Sequence, residues 1–64
     1  MESDRAQLSA LATSLDDLTR RIAEIAARHR TSPREDVAHG LDEVERALTT
    51  AGRRLDKVMR VMRS

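Results

Sequence analysis

Arg30-Thr31-Ser32-Pro33-Arg34-Glu35 decides how this chain folds, because the residues on either side of it mirror one another across Pro33. Ser32, with Glu35 three residues on, has the form of a capping box. In that motif the serine hydroxyl takes the backbone N–H of Glu35 and the glutamate reaches back to the N–H of Ser32. Pro33 then falls at the first helical position, where its missing N–H costs nothing and its fixed φ suits the helix. A helix that starts here requires an earlier one to have ended, so the stretch predicts a helical hairpin with its turn at 31–32.

Outward from the turn, apolar residues recur with a heptad period on both sides. Leu8, Leu11, Leu15, Leu18, Ile22 and Ile25 alternate spacings of three and four, and His29 is the next position of that series. Helix 1 is predicted over about 4–30, with Ser3 or Asp4 as its cap and Arg28, His29 and Arg30 complementing its C-terminal dipole. At about 1.5 Å per residue it would be roughly 40 Å long. Helix 2, over about 33–62, carries Val37, Leu41, Val44, Leu48, Ala51, Leu55, Val58 and Met62 at the same alternating spacing. Folding at Pro33 pairs Ile25 with Leu41, Ile22 with Val44, Leu18 with Leu48, Leu15 with Ala51, Leu11 with Leu55 and Leu8 with Val58. His29 then faces Val37 at the turn end. Gly40 and Gly52 each lower helix propensity by roughly 1 kcal/mol relative to alanine. Two such residues on one helix favour close approach of another backbone over tolerated drift.

Composition agrees with this all-α, coiled-coil-like reading. The chain is 64 residues long and 36% charged, with 39% hydrophobic residues but no Phe, Trp or Tyr, so the core must come from aliphatic side chains, Met and Ala. No cysteine is present, which excludes disulfides, thiolate metal sites and cysteine nucleophiles. The first residues, MESDRAQLSAL, are acidic and lack the apolar run of a signal peptide. No stretch approaches the roughly 20 apolar residues of a membrane span, so a cytoplasmic location and no membrane partner are expected. The net charge of +1 is blocked: residues 1–19 carry −3, 20–34 carry +4, 35–45 carry −5 and 46–64 carry +5. Antiparallel folding sets acidic blocks beside basic ones, and the same acids and bases complement the helix dipoles.

A two-helix layer has only one seam, and a scaffold this small comes out near zero in stability without further burial. Ala38, Ala47, Met59 and Val61 lie outside the strict seam of helix 2, and Ala12, Thr19, Ala26, Ala38 and Gly52 line up as a low strip on one flank. Ala12, Thr19, Ala26, Ala38, Gly52 and Met59 are therefore the expected interface of a homodimer, a four-helix bundle, with a different protein partner as the other occupant.

Candidate chemistry is sparse. His29 and His39 lie on different helices with no triad-like or HExxH spacing, and Asp36 near them completes no ligand motif. We expect no catalytic residue, no cofactor, no metal and no small-molecule substrate. Arg46, Arg53 and Arg60 repeat every seventh residue as an outward ridge, with Arg54, Lys57 and Arg63 beside it. That ridge suits phosphates, but it lacks aromatics for base stacking and any helix-turn-helix or basic-zipper context. The sequence thus points first to a small interaction or regulatory module presenting a rigid helical surface, and second to a dimeric nucleic-acid-binding protein using the six basic residues.

Overall fold

The computed structural model describes residues 2–63 and consists of two antiparallel α-helices packed side by side. Helix α1 spans Glu2–His29 and α2 spans Glu35–Arg63. The hairpin is a flat rod, 49 × 15 × 10 Å in its principal extents. Helix α1 runs through Ser3, whose hydroxyl accepts a hydrogen bond from the Gln7 side chain at 3.4 Å.

The turn differs in detail from the sequence-based expectation. Helix α2 begins at Glu35 rather than Pro33, and the carbonyl of Arg34 accepts its first hydrogen bonds, from the N–H groups of Val37 at 3.1 Å and Ala38 at 3.4 Å. The capping-box bond to Glu35 is replaced by a shorter loop: the Ser32 hydroxyl accepts the Arg34 N–H at 3.1 Å and donates to the His29 carbonyl at 2.9 Å. The Ser32 N–H also donates to that carbonyl, at 3.3 Å. Ser32 therefore satisfies a carbonyl that the end of α1 leaves without an intrahelical partner while holding the entry to α2. Glu35 and Asp36 in the first turn of α2 place negative charge at its positive end. Across the turn, Arg30 donates to Asp42 at 2.6 Å and joins the two helices.

The larger difference is in which stripe each helix turns toward the other. The less exposed residues are Arg5, Leu8, Ala12, Leu15, Thr19, Ile22, Ala23, Ile25, Ala26 and His29 on α1. On α2 they are Val37, Ala38, Leu41, Asp42, Glu45, Leu48, Gly52, Leu55, Met59 and Met62. Most of the expected seam is therefore present: Leu8, Leu15, Ile22, Ile25, His29, Val37, Leu41, Leu48, Leu55 and Met62 keep their places. Leu11, Leu18, Val44, Ala51 and Val58 do not, and lie exposed. Their places are taken by the strip of small residues. Ala26 is fully buried and Ala38 is 4% exposed, and no large side chain is fully buried. In the register, Leu15 meets Gly52 rather than Ala51: a Cβ added to Gly52 would lie 3.7 Å from Leu15 Cδ2.

The physical reason is helix separation. Interaxial distance depends on the side chains at the contact, so a column of Ala, Thr and Gly brings the helices together while the flanking Leu residues fold over the junction. Neither glycine is forced by crowding within the hairpin, since the Gly52 contact is an ordinary van der Waals distance and Gly40 has nothing within 4 Å.

Two substitutions test this arrangement. Ser32→Ala removes both hydroxyl bonds at the turn and should lower stability by about 1 kcal/mol in urea denaturation. Ala26→Leu forces a large side chain into the fully buried position and should cost about 1–3 kcal/mol. A neutral Ala26→Leu would mean that the small-residue strip is not the seam.

Candidate docking face

Heptad positions explain how an apolar face arises on one side of the rod. With Ala12, Thr19, Ala26, Ala38, Gly52 and Met59 at position a, the seam leucines of both helices fall at d, and Leu11, Leu18, Ile25, Val37, Val44, Ala51 and Val58 fall at g. In an antiparallel pair the g positions of both helices lie on the same flank, next to d. Leu11 is 58% exposed, Leu18 49%, Val44 43% and Val58 50%. Val61, at 72%, stands beside them at position c. Among the described residues every exposed large hydrophobic thus belongs to one face, where isolated exposed leucines would be unremarkable but a contiguous patch marks an interaction site.

The edges of the face are unlike each other. Position c of α1 supplies Gln7, Ser14, Arg21 and Arg28, all exposed, whereas position c of α2 supplies Gly40, Ala47, Arg54 and Val61. Apart from Ser14 and Arg54, the face is therefore bordered by long polar side chains on α1 and extended by small or apolar ones on α2.

Of the six residues expected at a dimer interface, Ala26 and Ala38 are buried within the hairpin, and Ala12, Thr19, Gly52 and Met59 are half-buried. Ala12, Thr19 and Gly52, with Leu15 and Leu48, line an open groove on the polar side. The Thr19 hydroxyl there donates to the Leu15 carbonyl at 2.8 Å, and the neighbouring Thr49 hydroxyl to the Glu45 carbonyl at 2.9 Å. Both hydroxyls are spent on their own helix backbones.

That polar side also carries the basic ridge, except for Arg54, which stands on the rim of the apolar face. Arg46, Arg53, Arg54, Lys57, Arg60 and Arg63 are all exposed. Arg46 and Arg53 flank a shallow groove with Asp42 and Glu45, and Asp56 lies among Arg53, Arg54, Lys57 and Arg60. Asp16 and Asp17 do not reach across to this ridge; they pair within α1 with Arg20 at 3.0 Å and Arg21 at 3.8 Å.

The histidines do not converge. His39 is 3.5 Å from Glu43 one helical turn on. His29 sits at the turn end of the seam, with its Nδ1 buried and without a hydrogen-bond partner. Among the described residues no group of three or more His, Cys, Asp or Glu is placed to hold a metal ion. Nor is any helix there long and apolar enough to cross a membrane. At the first turn of α2 the Arg34 side chain hydrogen-bonds Asp36 and holds its exposed carboxyl below the usual carboxylate range. The stability that follows is present above the ordinary carboxylate pKa and is lost as the pH falls through the lowered one.

Sequence reasoning placed the face's residues in the seam and the seam's residues on the flank. The signal that separates the two is width. Each helix has three adjacent columns, a, d and g, that are mainly apolar or small (Arg5 and Glu45 interrupt column a), and a two-helix contact can use only two of them. No protein-family model, curated protein or solved structure matches this chain.

Proposed function

We propose that this chain is a small, non-enzymatic interaction or regulatory module that works by laying its apolar d/g face on another helical surface. One observation carries this reading: Leu11, Leu18, Val44, Val58 and Val61, the exposed large hydrophobics, all lie on one side of a rigid hairpin. Grooves on helical surfaces recognise helices through such i, i+3, i+4, i+7 anchors. The open depressions on the polar side do not enclose a substrate, which further favours a binding role.

The test is the sedimentation of the tagged chain in an extract of its native host. The wild-type chain should sediment in an assembly heavier than its own 7.2 kDa. The Leu18→Lys/Val58→Lys variant should return to the single-chain position, and Arg46→Gln/Arg53→Gln should stay in the assembly. A wild-type chain that sediments alone overturns the docking reading.

A second reading rests on the basic ridge. Arg46, Arg53, Arg54, Lys57 and Arg63 have no ion-pair partner among the described residues, so their charge is available to phosphates. Under that reading, binding to generic duplex DNA or single-stranded RNA falls by orders of magnitude between about 50 and 200 mM salt, and Arg46→Gln/Arg53→Gln reduces both affinity and salt slope. Under the docking reading neither nucleic acid binds appreciably at physiological salt.

A further inference from the structure

We propose that the apolar face is covered by a second copy of this chain. The copies are related by a two-fold axis parallel to the helices, so that α1 of each lies against α2 of the other and both turns share one end. The proposal rests on reading this face as a docking surface, and three observations select the occupant and its orientation.

The first is area. The hairpin exposes 5035 Å², whereas a compact chain of 7.2 kDa exposes about 4,100 Å². The surplus, about 900 Å², is close to the roughly 800 Å² that each partner buries in a standard interface. One further hairpin is enough to remove it. In the resulting four-helix bundle the d columns point to the centre, the a columns form the seam within each chain and the g columns form the seam between chains.

The second is side-chain volume along the g columns. On α1 these positions are Leu11, Leu18 and Ile25; on α2 they are Val44, Ala51 and Val58. Setting α1 against α2 of the second copy joins large residues to smaller ones along the whole seam, so both inter-chain seams have the same thickness. Setting α1 against α1 would make one thick seam and one thin seam and splay the bundle, which close packing disfavours.

The third is the rim. A two-fold axis parallel to the helices preserves height, so the Leu15 to Gly52 register also holds between copies. Arg28 then comes level with Gly40 of the second copy, Arg21 with Ala47, and Ser14 with Arg54. Each of these arginines crosses a small residue, Gln7 comes level with Val61, and no arginine meets another. Beyond the small residues lie Asp36 and Glu43 for Arg28 and Arg21, and beyond Ser14 lies Asp17 for Arg54. The blocked charges of the sequence thereby complement one another between chains as well as along each helix.

The experiment uses the absence of cysteine from the chain. Purified wild-type protein should sediment at equilibrium at twice 7.2 kDa. A Ser14→Cys copy mixed with an Arg54→Cys copy should give the mixed covalent dimer with a short thiol cross-linker. A Ser14→Cys copy mixed with an Arg21→Cys copy should not, because those positions meet only when α1 lies against α1. All three rim substitutions are at exposed sites, and circular dichroism of each variant checks that the helices are retained. A purified monomer overturns the second copy as occupant. If the chain still sediments in a heavier assembly in host extract, that result also shows the docking reading to have survived. Preferential cross-linking of the Ser14→Cys and Arg21→Cys pair overturns the proposed orientation while retaining the dimer.

Discussion

Among the described residues Ala26 and Ala38 are the buried ones, and the rest of the structure follows from the close helix contact that they permit. Small side chains at position a bring α1 and α2 together. Away from the turn, that approach leaves Leu11, Leu18, Val44, Ala51 and Val58 of the g column outside the junction, while Ile25 and Val37 beside the turn stay partly covered. Had the helices met through d and g, Leu11, Leu18, Val44 and Val58 would be covered and the alanine strip would face water. The choice between two adjacent stripes is thus also a choice of which surface the molecule shows to its surroundings. Burial of small residues alone contributes little hydrophobic free energy, since the gain scales with apolar area. This is why a hairpin of this kind depends on what lies against its other face.

Much of the architecture was legible in the residues. The Ser32-Pro33 stretch located the turn, the alternating three and four spacings located both helices, and the shared d column was identified on each. Rotation about the helix axes was not. Periodicity reports that a stripe is apolar, and Leu outranks Ala on any hydrophobic scale, so the heavier pair of columns was read as the seam. The width of three columns held the correction, but deciding which two are used requires the separation of the helices, and that is a property of the packed pair. The same limit applies to the turn. Ser-x-x-Glu fits a capping box, yet Ser32 bonds Arg34 and His29 instead, a tighter solution that also satisfies the end of α1.

Electrostatics plays a smaller part in the hairpin than the charge blocks suggest. The Arg30–Asp42 pair joins the helices beside the turn, but its partners are partly exposed, and such pairs contribute about 0–1 kcal/mol. Asp16, Asp17, Asp36 and Glu43 are engaged by neighbours on their own side of the turn. Exposed pairs of this kind decorate an orientation that packing and chain connectivity have already imposed.

The location of the two buried alanines along the rod sets up a gradient. Ala26 and Ala38 lie close to the turn, as do the Ser32 bonds and the Arg30–Asp42 pair, and their contacts close loops of only about a dozen residues. Short loops cost little entropy to close. The turn end is therefore both the first part to organise and the last to open, and the hairpin zips toward its open end. There the first residues of α1 and the last of α2 are held by contacts whose loop spans nearly the whole chain. Backbone amides should then exchange with solvent progressively faster with distance from Ser32, so that the termini breathe on a firm hinge.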